Sequence, residues 1–148
     1  MPEGFAGTVV LAQTDTTAGL LSRDGKRLNG VKGRRENQPL IRAVGDLKTL
    51  KTFARVPQGH KNRVRRMKKT TFVFKNGESC RVIRGGHARF FERIGWSYTT
   101  SANPTGQAFD ETWAKAKADL WVLTPQGLGE KPASKLVKLG KTRLKKLR

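Results

Sequence analysis

The feature that most constrains the fold is a strand-turn-strand signature at mid-chain. Thr70-Thr71-Phe72-Val73-Phe74 and Ser79-Cys80-Arg81-Val82-Ile83 are β-branched and apolar runs, with Lys75-Asn76-Gly77-Glu78 between them. Asn-Gly supplies the positive φ angles of a tight hairpin turn, so two antiparallel neighbours are expected here. Around this hairpin, strand and helix patterns alternate. Thr8 to Ala12 reads as a buried strand, Leu40-Ile41 as a second, Ser97 to Thr100 as a third and Leu120 to Leu123 as a fourth. Ser22 is placed to cap a weak helix over about Asp24 to Lys32, and Gly45-Asp46 opens one over Leu47 to Phe53. A basic helix is expected over about Gln58 to Lys68, another over Ala88 to Ile94 stopped by Gly95, and a last one from an Asp110 cap to about Lys117. The pattern predicts an α/β domain with a mixed sheet.

The 148 residues fit one domain, 1–148, ending in a basic tail over about 140–148 that is expected to lack order. No apolar run approaches a membrane span, and Met1-Pro2-Glu3-Gly4 lacks a secretory layout, so a cytoplasmic protein without membrane contact is expected. The single Cys80 cannot form an internal disulfide and reads as a small core residue. With His60 and His87 the only histidines, no metal site is expected. His60 reads as a helix-surface residue and His87 as a helix start.

Charge points to a partner. Lys and Arg number 31 against 11 Asp and Glu, a formal net charge of +20. Residues 47–77 carry ten cations and no acid, and the stretch after Glu130 carries eight more, again without an acid. Arg63, Arg65, Arg66, Lys68 and Lys69 form the densest run and are the candidate RNA-contacting residues. A solvated face with a disordered tail would give the same composition.

Three polar pairs, each two residues apart, are candidates for a site: Thr14 and Thr16 after the first strand, Lys32 and Arg34 after the first helix, and Ser101 and Asn103 after the strand ending at Thr100. In extended chain, residues i and i+2 point to one side. Loops beyond the carboxyl ends of α/β strands are where ligands bind. Two cations on one side of a loop suit a phosphate chain, and hydroxyls with an amide suit a smaller polar substrate. Each pair alone also reads as ordinary loop or turn chemistry. No nucleophile–base pair and no phosphate loop of the GxxxxGK[ST] kind is present.

In order along the chain, these segments resemble the YrdC-like family, the threonylcarbamoyl-AMP synthases. Gln13-Thr14-Asp15-Thr16-Thr17-Ala18-Gly19 stands where that family has Pro-Thr-Asp/Glu-Thr-x-Tyr-Gly. Lys32-Gly33-Arg34 leads to Pro39-Leu40-Ile41 as its Lys-x-Arg leads to a Pro-Leu strand, and Thr71-Phe72-Val73 and Arg81-Val82 follow in place. Thr99-Thr100-Ser101-Ala102-Asn103-Pro104-Thr105-Gly106 is similar to Ser-Thr-Ser-Ala-Asn-x-Ser/Thr-Gly, and Pro132-Ala133-Ser134-Lys135-Leu136-Val137 to Pro-Ser-Thr-Ile-Val. The resemblance implies a twisted mixed parallel and antiparallel sheet with flanking helices. It also implies an enzyme that condenses L-threonine, bicarbonate and ATP, with Mg2+ on the phosphates, into threonylcarbamoyl-adenylate and pyrophosphate for tRNA modification. Its partners would be tRNA and the proteins of the threonylcarbamoyl-transferase complex.

By the same resemblance, Lys32 and Arg34 would be catalytic and hold the triphosphate. Ser101, Asn103 and Ser134 would line the nucleotide pocket, and Thr16 and Arg81 would contact threonine. The chain departs from the pattern at Gln13 (Pro in the family), Ala18 (Tyr), Gln38 (Lys), Lys68-Lys69 (Gly-Pro) and Lys138 (Asp). The alternative expectation is a non-catalytic relative that binds double-stranded RNA, tRNA or ribosomal RNA through its basic face.

Overall fold

A computed structural model describes residues 7–148. Its strands are β1 (Val10–Ala12), β2 (Gly19–Ser22), β3 (Ile41–Val44), β4 (Thr70–Val73), β5 (Ser79–Val82), β6 (Trp96–Ser101), β7 (Leu120–Val122), β8 (Lys135–Leu139) and β9 (Leu144–Lys146). The helices are α1 (Gly25–Val31), α2 (Leu47–Leu50), α3 (Lys61–Arg66), α4 (Ala88–Ile94) and α5 (Glu111–Lys117). All nine strands join one sheet in the order β7-β1-β2-β6-β3-β5-β4-β8-β9. The pairs β1–β7, β3–β5 and β4–β8 are parallel; the other five are antiparallel. The expected mixed α/β architecture is the one found.

Alternation along the strands sends successive side chains to opposite faces. Val10 and Ala12 go to one face, where Phe91 and Ile94 of α4 cover them with Leu21, Ala43 and Ile83. Val9 and Leu11 go to the other, under Leu28 of α1 and Ala114 of α5. On that second face, Leu50 of α2 and Val64 of α3 pack over Val44, Phe72, Cys80, Val82 and Val137. Arg42 of β3 lies between those two clusters. Its guanidinium sits 4.0 Å from the Phe53 ring centre, 4.7 Å from Trp96 and 4.9 Å from Tyr98, and is paired to Glu78 at 2.6 Å. Rings on several sides and a carboxylate give this buried cation the partners it needs.

Several boundaries differ from the sequence reading, each for a local reason. The hairpin forms, but only Gly77 takes a positive φ, of 88°. Gly77 N–H donates to Phe74 O and Phe74 N–H to Glu78 O, which makes a three-residue loop with a left-handed last residue instead of a two-residue turn. α1 is capped by Asp24, whose carboxylate accepts from Arg27 N–H, while the Ser22 hydroxyl accepts from Asp24 N–H. The second expected strand lies a little later, at β3, and the long basic helix is a 3-10 turn over Gln58–His60 followed by α3. His60 is buried, not on the helix surface. His87 ends a second 3-10 turn and does precede α4. Cys80 is fully buried, and burial pushes its thiol up to about 11, with Glu78 adding and Arg42 opposing.

Residues 140–148, expected as a tail without order, carry β9. Lys138 faces Lys145 and Leu139 faces Leu144 across an antiparallel ladder with β8. Leu144 packs on the buried core, which gives this basic segment an apolar reason to be ordered. No helix among the described residues is long and apolar enough to cross a membrane.

Gly45 links β3 to α4 by close approach. A Cβ there would come within 2.6 Å of Glu92 N and 2.7 Å of Glu92 Cα. We expect Gly45→Ala to cost about 2 kcal/mol or more, because the backbone of α4 must shift. Chemical denaturation of the variant against the parent measures it, with Gly30→Ala as a control, since a Cβ at Gly30 meets nothing within 4 Å.

Candidate ligand-binding site

The Lys32-Gly33-Arg34 spacing is a helix stop, not an extended pair. Gly33 takes φ 67° just past α1. Its N–H donates to Gly30 O at 3.1 Å, and Arg34 N–H reaches back to Asn29 O at 2.9 Å. This double closure is a Schellman motif, and glycine suits its left-handed position. The motif leaves Lys32 as the cap residue, buried, and Arg34 half-buried beyond it.

Lys32 reaches across to the end of β6. Its Nζ donates to Ser101 O at 2.9 Å, to Asn103 O, and to Asn103 Oδ1 at 3.4 Å. The Lys32 carbonyl in turn accepts from Thr105 Oγ1 at 2.8 Å. Asn103 Nδ2 donates to Pro104 O and Gln107 O, which holds the Ser-Ala-Asn-Pro-Thr-Gly turn in place. Arg34 Nη1 donates to Thr100 Oγ1 at 3.3 Å, and its other donors remain open to a ligand. Two of the three candidate pairs are therefore brought together. Removal from water pushes the Lys32 ammonium down from its usual 10.5 to about 8, with Arg34 adding to the shift.

The third pair is organised by a strand on the other side. Arg81, buried in β5, donates to Thr16 Oγ1 at 3.1 Å and Thr14 Oγ1 at 3.2 Å, and pairs with Asp15 Oδ1 at 2.5 Å. Thr14 Oγ1 lies 3.2 Å from Thr16 Oγ1, accepts from Thr16 N–H and donates to Thr17 O. Burial lowers the Arg81 pKa, Asp15 opposes the shift and Arg148 adds to it. The cluster leaves one buried donor, Arg81 Nε, and one buried acceptor, Asp15 Oδ2, without a protein partner. Arg42 and Arg84 likewise carry a buried Nε without a protein partner.

A cavity of about 140 Å³ is lined among others by Thr14, Thr16, Arg81, Thr100, Ser101 and Ser134, whereas Lys32, Arg34, Asn103 and Asp15 are not part of its lining. Ser134 Oγ lies 2.8 Å from Thr71 Oγ1 on β4. Arg148 closes its side, donating from Nε to Ser134 O and from Nη2 to Ser134 Oγ. Asp15 and Arg148 are the members the sequence reading missed. Asp15 carried a signal, an acid between two hydroxyls after a strand; Arg148 carried none, as one cation in a basic run. A larger hollow of about 850 Å³ opens elsewhere, between the start of α1 and the Gly77–Ser79 turn. It is an open trough on the surface and contains none of the three pairs.

The RNA candidates lie on another surface. Arg63, Arg65 and Arg66 are exposed on α3, and Lys68 and Lys69 are exposed on the way into β4. Among the described residues none of the five pairs with an acid. Lys69 holds a left-handed φ of 51°, and its carbonyl accepts from Lys135 N–H at the start of β8. Also among the described residues, no three His, Cys, Asp or Glu side chains gather in a metal-binding group.

No family model and no curated protein sequence matches the chain. Solved structures do. Sua5 of P. abyssi, complexed with L-threonine, superposes with TM-score 0.79 at 21% identity over 98% of this chain and 52% of that one. YciO of E. coli gives TM-score 0.73 at 15% identity, covering 96% of this chain and 82% of its own. Full-length HypF in a phosphate- and nucleotide-bound form gives 0.73 at 13% identity over 96% of this chain and 27% of that one. The chain thus spans about half the length of Sua5. These likenesses establish the fold, and it is the YrdC-like fold that the resemblance implied.

The lowered Lys32 pKa has a stability consequence. Between about pH 8 and its unfolded value near 10.5, the unfolded chain holds a proton on Lys32 that the folded chain has released. Stability therefore rises with pH across that window, by at most about 1.4 kcal/mol per pH unit from this one group. We expect this rise to be absent in Lys32→Met. Urea unfolding at pH 7.5, 8.5 and 9.5 for both proteins measures it.

Proposed function

We propose that the chain binds L-threonine in the cavity and a nucleoside triphosphate across Arg34 and Lys32, and condenses them with bicarbonate to threonylcarbamoyl-adenylate. The observation that carries this reading is the lining of the cavity, which brings Thr14, Thr16 and Arg81 together with Thr100 and Ser101, the two residues to which Arg34 and Lys32 are hydrogen-bonded. A volume of about 140 Å³, that of about five waters in the liquid, suits an amino acid rather than a nucleotide. Sua5 was solved with L-threonine and HypF with phosphate and nucleotide, which supports both halves of the reading.

In the reaction, the threonine nitrogen takes the carboxyl group of bicarbonate with loss of water. A carbamate oxygen then attacks the α-phosphorus of ATP, and pyrophosphate leaves. Nothing in this sequence requires a protein nucleophile; it requires alignment and neutralisation of charge. Arg81, with the Thr14 and Thr16 hydroxyls, would orient the amino acid, and Asp15 would hold the Arg81 guanidinium in place. Arg34, with donors to spare, would meet phosphate oxygens, and Lys32 would hold the Ser101–Asn103 turn in register while adding positive potential. Mg2+ would arrive with the triphosphate, bound by its oxygens and water.

The exposed, acid-free face of α3 favours a second reading, that the chain also binds RNA. The two readings are compatible, because the cations of α3 are not the residues of the cavity. By the same reading, the adenylate passes to the partner proteins of tRNA modification.

The test is pyrophosphate release from ATP with threonine and bicarbonate each present or withheld. Release should need both, and Arg34→Ala should lower it about a hundredfold, the usual scale for one positioned donor. Release indifferent to threonine would overturn the reading. For RNA, replacing Arg65, Arg66 and Lys69 by Gln should weaken binding and flatten the salt dependence of log K by about 2 to 3. An unchanged slope would remove RNA from the account of this face.

A further inference from the structure

Gln13 occupies a position where its side chain does three things at once. It is buried, at 7% exposure. Its Nε2 donates to Thr16 O at 2.7 Å and Thr14 O at 3.2 Å, and its Oε1 accepts from Gly129 N–H at 2.8 Å, 116 residues along the chain. Gly129 O then accepts from Ala18 N–H at 3.0 Å. Next to it, Thr17 Oγ1 donates to Lys131 O at 2.6 Å and accepts from Lys131 N–H at 3.1 Å. The connection from β7 to β8 thus lies along the Thr14–Ala18 loop as a strap, clipped at Gly129 and Lys131. Three residues further on, the same strap supplies Ser134, and with Ala133 it forms a wall of the cavity.

We infer that Gln13 is a positioning residue that couples this strap to the hydroxyl loop, so that the cavity wall and Thr14, Thr16 and the Arg81 partner Asp15 open and close as one unit. Both donors and one acceptor lone pair of the amide are used. No smaller or apolar side chain can replace the clip: an isosteric Met would fill the space and leave two carbonyls and one N–H without their partner. The residue touches no ligand in this scheme. It acts by fixing the distance between two segments that do.

The strap itself is the part able to move. It has Pro125, Gly127 at φ 74°, Gly129 and Pro132 within eight residues, and its exposed stretches are outside the sheet ladder. Segments with few buried contacts open locally at lower free energy than sheet strands do. An amide clip sets that opening free energy here. The consequence for ligand binding rests on the cavity reading above; the coupling of strap to loop does not.

Amide hydrogen exchange of the full chain separates the two. In the parent, the Ala18, Gly129 and Lys131 amides should exchange with a common opening constant. In Gln13→Met they should exchange about tenfold faster or more, as expected for loss of the one Gln13 bond that crosses to the strap at about 1.4 kcal/mol per tenfold, while Leu20 and Val82 in the sheet are unchanged. Thr17→Val, which removes the second clip without touching Gln13, should accelerate Lys131 in the same way. Uniform acceleration across the sheet, or none at Gly129, would overturn the coupling.

L-Threonine is then added to the parent. Slower exchange at Gly129 and Lys131, reduced in Gln13→Met, supports the wall closing on ligand. Threonine that protects Thr16 but leaves the strap unchanged overturns that closure. No effect at any amide counts against the cavity reading, while the exchange rates without ligand still decide the clip.

Discussion

A guanidinium leaves water only if its surroundings answer it, and the arrangement of this molecule around Arg81 follows from that demand. Transferring the cation into the sheet costs several kcal/mol unless a carboxylate and further acceptors meet it. Asp15 and the hydroxyls of Thr14 and Thr16 supply them, and all three sit on the loop after β1. That loop must therefore fold back over β5, four strands away in the sheet order. The Thr14 hydroxyl is fully used in doing so, donating to Thr17 O and accepting from Thr16 N–H, and the loop is left rigid. Two atoms are not answered, Arg81 Nε and Asp15 Oδ2. A network this close to complete fixes the Thr14–Thr16 loop against β5.

Where the sequence was legible, a local rule acted without competition. The Asn76-Gly77 hairpin, the Asp110 cap and the Gly95 stop of α4 are each set within a few residues, and each forms. The polar pairs were visible as pairs, and the motif order carried the fold. What could not be read depended on distant contacts. β2 is four residues long and is made a strand by β1 and β6 on either side. β9 looks like a basic tail until Leu144 is seen to pack on the core that Val137 and Leu139 complete beside β4. Lys32 and Arg34 were paired for the wrong reason: extended spacing suggested it, whereas a left-handed glycine after a helix produces it. Arg148 has no local signal, because its role comes only from the return of β9 toward Ser134.

The positive charge divides into two populations. Arg42, Arg81 and Lys32 are taken out of water and individually matched, by aromatic faces, a carboxylate or carbonyl oxygens. The cations of α3 and of the β8–β9 hairpin are exposed, and Lys138 stands directly opposite Lys145. Like charges across a ladder oppose folding by a few tenths to about 1 kcal/mol. Such a pair persists where a bound anion relieves it or where the excess is tolerated for solubility, and the steep salt dependence of a polyanion complex distinguishes the two.

Positions 13 and 18, where the resemblance expects Pro and Tyr, share one contact. Ala18 is fully buried among Leu20, Leu28 and Ala102, so this position serves the core, with its N–H and C=O spent on Gly129 and Ala102. The strap from β7 to β8 lies against the same residue, held by Gln13 and Thr17. Proline at position 13 would have no side-chain amide with which to hold it. Gln13 and Ala18 thus act on one residue of the strap: the Ala18 N–H meets Gly129 O, and the Gln13 amide oxygen meets Gly129 N–H.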